Sequence, residues 1–232
     1  MNTPLKTTVK KQQMFDPFPA LIAFTPLILY LLFLAIVRIG GFAWVTTGGR
    51  DLAAVLAAVS GLIVVGPMEL FFPNATASFL GVWVWIPLLL LYFLFACLLV
   101  LGARTKLVSY GRTAEDVYPA MIRAARSLDA GATVNNEQLQ VHLPAFAAHL
   151  RLENSPGHDC VSVLAFEPNL SPSFWTSFRT QLRTELRATS PPRPRRGWAL
   201  MGVALAMAYM LVRYVASEPA LLVEGFREWV IR

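Results

Sequence analysis

The residues with the plainest chemical potential in this sequence are arginines. Arg179, Arg183 and Arg187 recur every four residues, which aligns all three along one strip of a helix. Arg193, Arg195 and Arg196 extend the run through Pro191-Pro192-Arg193-Pro194-Arg195-Arg196, a stiff basic linker that proline should keep out of the helical state. A guanidinium is permanently charged and presents a planar fork of donors that matches phosphate and carboxylate. These six arginines, just ahead of an apolar stretch, are therefore candidates for contact with anionic headgroups or with an acidic partner. Each basic residue near an anionic leaflet contributes about 1 kcal/mol. The competing reading is a solvated helix face.

Histidine and cysteine are few. His142 and His149 fall on short alternating runs, and His158 stands in a turn beside Asp159 and Cys160. Three consecutive residues on an extended chain point to different sides and cannot close around one ion, so no metal site is expected. Cys160 could act as a nucleophile only with a base in hydrogen-bond reach. A small strand cysteine is the simpler reading. Cys97 lies in an apolar span, so the two cysteines do not make a disulfide framework. The sequence holds no G-x-S-x-G, glycine-rich phosphate loop or H-E-x-x-H. No catalytic residue and no cofactor are expected.

The elements that carry these residues are set by hydrophobicity. Of 232 residues 56% are hydrophobic and only 15% charged, with a mean hydropathy of +0.53. Soluble domains are about a quarter charged. The apolar content gathers into four stretches, 18–37, 52–72, 82–101 and 197–216, each near the ~20 residues that cross a bilayer as a helix. The first contains Pro26, which should kink it. The second is rich in Ala, Ser and Gly, as close helix packing in lipid requires, and carries Glu69 near its end. The third begins at Trp83 and Trp85, an aromatic belt.

Residues 104–190 change character. Thr113-Ala114-Glu115-Asp116 reads as a capped helix start, with Val117, Met121, Ala124, Ala125 and Leu128 forming its apolar face. Three alternating runs follow, 139–143, 146–153 and 161–166, separated by Pro144 and by Asn154-Ser155-Pro156-Gly157. A second helix from Ser171 or Ser173 to Ala188 buries Phe174, Trp175, Phe178, Leu182 and Leu186. The expected fold is a bundle of about four transmembrane helices with an inserted small α+β domain: helix, three-stranded antiparallel sheet, helix. A polar tail over 1–17 precedes the membrane region 18–103. The linker 191–196 leads to the fourth span, and 217–232 reads as an interfacial amphipathic helix.

Net charge is +6. In a membrane chain such a balance reflects leaflet-facing anchors, and no basic run interleaves with stacking aromatics, so nucleic acid is not an expected partner. Eleven lysines and arginines flank the spans on the domain side, against six on the other. The asymmetry implies a bacterial-type inner or plasma membrane with the domain in the cytoplasm and both termini outside. Lys6, Lys10 and Lys11 oppose it, a conflict that a re-entrant second segment would remove. The functional expectation is a non-enzymatic accessory, scaffolding or assembly component that contacts anionic lipid, a protein partner or further copies of itself. The alternatives are a small transporter or channel subunit, or a membrane-surface enzyme using His142, His149 or Cys160.

Overall fold

The computed structural model describes residues 17–41, 43–68, 83, 85–154, 160–167, 170–189, 195–217 and 219–231. Among them four helices are long and apolar enough to cross a membrane. They are α1 (Pro17–Ile39), α2 (Gly48–Ile63, continued by a π-helical turn over Val64–Met68), α3 (Trp85–Gly102) and, later in the chain, α6 (Arg195–Ser217). These match the four expected stretches, and the chain is a membrane protein by this measure. The tail 1–16, Glu69 and the loop 73–80 lie outside the described residues, as do His158, Asp159 and Arg193.

Helix α1 is the hub. Helix α6 runs along it, with Gly197 so close to Ile39 that a Cβ there would lie 3.0 Å from the Ile39 backbone nitrogen. At the other end Phe18 meets Phe226 of α7 (Pro219–Ile231), ring centroids 5.3 Å apart. Helix α2 crosses α1 where a Cβ on Gly61 would overlap the carbonyl oxygen of Ile22. Pro26 has no N–H to give that carbonyl four residues back. The proline and the glycine therefore belong to one close crossing, and α2 reaches nearly the depth at which α1 begins. Helix α3 returns antiparallel to α2: Val100 packs on Gly49, and the Tyr92 hydroxyl donates to the Leu56 carbonyl at 2.7 Å.

The sheet corrects the expectation of three strands. Among the described residues it has six, all antiparallel, in the order β1-β2-β6-β5-β4-β3. The three expected runs appear as β4 (Gln140–Leu143), β5 (Ala148–Asn154) and β6 (Cys160–Ala165). The additional strands are β1 (Trp44–Thr47), β2 (Lys106–Tyr110) and β3 (Thr133–Asn135). Strand β2 starts four residues after α3 ends, and β1 comes from the link between α1 and α2. Backbone pairing across such distances leaves little trace in local periodicity. The β-branched run Val45-Thr46-Thr47 between Gly40-Gly41 and Gly48-Gly49 is the one signal for β1.

Helices α4 (Ala114–Leu128) and α5 (Pro172–Ala188) cover one face of the sheet. Their expected apolar faces form the core: Val117, Met121, Ala124 and Ala125 from α4, and Phe174, Phe178, Leu182 and Leu186 from α5, against Leu107, Val141, Leu150, Val161 and Val163. Local chemistry sets the helix starts. Asp116 accepts from the Thr113 N–H at 3.3 Å and hydroxyl at 3.0 Å, and Ser171 Oγ accepts from the Phe174 N–H at 3.2 Å. Buried Arg112 donates to the carbonyls of Leu186 at 3.1 Å and Thr189 at 3.2 Å, satisfying the C-terminal end of α5.

Candidate functional site

The strip of arginines on α5 faces the seam between the sheet and the membrane helices. Because α5 packs on the core face through Phe178, Leu182 and Leu186, the positions one residue after Phe178, Leu182 and Leu186 turn toward the free edge of β1. Arg179 and Arg183 line a cavity of about 420 Å³ there, walled by Tyr30, Phe33 and Leu34 of α1, Trp44 to Thr46 of β1, Arg50, Asp51 and Ala54 of α2, and Tyr110 of β2. A neighbouring cavity of about 490 Å³ is lined by Arg183, Arg187 and Arg112 with Phe33, Ile36 and Val37 of α1. Of the six candidate arginines, three are thus brought to one seam. Arg195 and Arg196 correct the expected non-helical linker: no proline follows Pro194, and both fall on the first turn of α6, though their side chains and Arg193 lie outside the described residues.

The cleft holds three arginines against one carboxylate. Among the described residues Arg50, Arg179 and Arg183 have no acidic partner, whereas Asp51 is engaged. Its Oδ1 accepts a very short hydrogen bond from the Tyr110 hydroxyl. Burial first, then the bond to Asp51 and its charge, hold the Tyr110 phenol far above its ordinary range. The first residues of α2 open elsewhere: Gly48 and Gly49, with the N-cap Thr47, which makes no side-chain capping bond, line a separate cleft of about 410 Å³ beside Arg104 and Lys106. Trp44, 44% exposed, stands edge-on to Phe33 with ring centroids 5.4 Å apart. An amphipathic ring at a membrane seam is suited to the headgroup level.

Arg50, Asp51, Tyr110, Tyr30 and Trp44 were not singled out as site residues from the sequence. None of them carries a sequence motif. They meet because β1 pairs with β2, which no local pattern announces.

The other candidates are elsewhere. His142 and His149 sit opposite one another on β4 and β5, their rings stacked with centroids 4.1 Å apart. His149 Nδ1 is 2.7 Å from Glu167 Oε1, and the His149 N–H donates to Glu167 Oε2 at 2.8 Å. Burial alone would raise the Glu167 carboxyl, but those two bonds outweigh it and hold it below the usual range. Cys160 pairs with Tyr110. His149 lies level with Phe166, whose N–H donates to its carbonyl at 3.1 Å. Six strand residues separate that position from Cys160, a span of ~20 Å, so neither histidine serves this thiol as a base. Burial, then the charge of Asp51, pushes the Cys160 thiol up, away from a reactive thiolate. Among the described residues no group of three or more His, Cys, Asp or Glu side chains could hold a metal ion. No family model, no curated protein and no solved structure matches this chain.

Proposed function

We propose that this chain is a non-enzymatic accessory or assembly component of the membrane whose basic domain is held against the anionic leaflet by the arginine face of α5. The observation that carries the reading is the position of the arginines: Arg179 and Arg183 line a cleft with the apolar helices α1 and α2, and Arg187 lines its neighbour beside α1. The apolar surface of α3, which buries none of its residues, further suits a chain that meets lipid or other helices. The lysine and arginine asymmetry favours a cytoplasmic domain with both termini outside.

The test uses the full chain, because β1 arises outside residues 104–190 and an excised domain would lose an edge strand. Reconstituted in nanodiscs, the amides of Thr176–Ala188 exchange at least fivefold more slowly with phosphatidylglycerol present than in phosphatidylcholine alone, the factor that ~1 kcal/mol from a single arginine implies. Arg183→Glu with Arg187→Glu abolishes the difference. Equal exchange in both lipids in the unmodified chain rejects the surface role. A reporter inserted at Asn136, in the exposed turn between β3 and β4, reads cytoplasmic; a signal from the other side rejects the orientation.

A further inference from the structure

The 420 Å³ cleft has the make-up of a site for one molecule, which a merely basic surface would not need. We propose that it binds the phosphate of a single anionic phospholipid, with Arg50, Arg179 and Arg183 as its ligands and α1 guiding the acyl chains into the bilayer. The inference rests on the surface reading above and sharpens it to a stoichiometric ligand.

Four observations converge on this assignment. First, the three arginines come from two elements, α2 and α5, and surround one space. Convergence from separate elements is what a bound anion needs and what a solvated helix face lacks. Second, the one carboxylate in the lining, Asp51, accepts from the neutral Tyr110 phenol and pairs with none of the arginines. Arg50, Arg179 and Arg183 outnumber it, so the cleft keeps a net positive charge for a ligand. Third, the volume falls within the ~300–1,000 Å³ of small-molecule sites, too large for an ion alone. Fourth, the remaining wall is apolar and aromatic: Phe33 and Leu34 belong to a membrane-crossing helix, and Trp44 closes the rim. A polar end beside an apolar wall that continues into the bilayer matches an amphiphile better than a soluble phosphate. Guanidinium forks recognise phosphate oxygens in pairs.

The experiment is native mass spectrometry of the full chain in mild detergent, titrated with phosphatidylglycerol, phosphatidylcholine or inorganic phosphate. One phosphatidylglycerol per chain is expected to bind, with phosphatidylcholine about tenfold weaker and millimolar inorganic phosphate unable to displace it. Arg50→Ala and Arg179→Ala should each lower the affinity about tenfold, while Arg126→Glu, exposed on α4 and remote from the cleft, leaves it unchanged. Equal retention of both lipids by the unmodified chain overturns the proposal without recourse to any variant. Displacement by inorganic phosphate overturns the lipid assignment in favour of a free phosphate. If the nanodisc response persists while selective retention fails, the surface reading stands and the cleft site falls. If selective retention persists without the nanodisc response, the cleft site stands and the surface reading falls.

Discussion

Two polar clusters share the outer face of the sheet, the face turned away from α4 and α5, and chemically they diverge. At the membrane seam Tyr110 and Cys160 pair across β2 and β6, with Asp51 reaching in from α2. At the far edge His142 and His149 pair across β4 and β5, with Glu167 beside them. Both clusters centre on a carboxylate that accepts a hydrogen bond from a ring-bearing side chain. At the seam, α2 covers the sheet so well that Val108, on the outer face, is 1% exposed. At the far edge the side chains of His149 and Glu167 are 49% and 30% exposed among the described residues. Water competes more strongly for the second pair than for the first, which is part-buried. The difference is one of environment, because a hydrogen bond gains in a low dielectric what solvent otherwise takes back.

The contrast breaks first at Tyr110. Tyr110→Phe should cost roughly 1.5–3 kcal/mol in chemical unfolding of the purified chain, because it strips a covered carboxylate of its donor. A loss near zero would mean that Asp51 is hydrated and the two clusters are alike. The raised phenol has a second consequence: in ultraviolet titration Tyr110 stays protonated well beyond the pH at which ordinary tyrosines ionise.

The next effect is kinetic. In a Cys97→Ser background, Cys160 should react with maleimide at pH 7 at least severalfold more slowly than a free thiol, since burial and the Asp51 charge disfavour its thiolate. Reaction at the free-thiol rate would show that the seam around Cys160 opens readily.

The smallest effect belongs to the far edge. The folded-state carboxyl of Glu167 lies below its ordinary range, so its carboxylate contributes stability that is present above the unfolded carboxyl range. That contribution is lost as pH falls through the lowered folded value. Glu167→Gln should remove this acid-limb dependence at a cost of about 0.5 kcal/mol or less at neutral pH, as for other solvent-screened pairs. A loss comparable to that of Tyr110→Phe would show that the far edge is covered as the seam is.

The spans and the two domain helices were legible because each signal is local. Twenty apolar residues meet the bilayer thickness wherever they sit in the chain, and the apolar faces of α4 and α5 repeat at the helical period. The four-residue spacing of Arg179, Arg183 and Arg187 was equally plain, but its direction was not, since a strip on a helix says nothing about what it faces. Cys160 and His149 lie eleven positions apart in sequence, close enough to be weighed together, yet the register of β5 on β6 holds them ~20 Å apart.

What the sequence by itself determined is therefore a membrane chain with four apolar helices, a basic strip and a compact α+β unit. Only the tertiary structure decided that six strands among the described residues form one sheet, that β1 and β2 tie it to the membrane helices, and that Arg50, Asp51 and Tyr110 meet Arg179 and Arg183 in one cleft. The physical reason is separation along the chain. Hydropathy and helical periodicity are summed over neighbouring residues, whereas the pairing of Trp44 with Tyr110 joins segments whose only common property is the edge they complete.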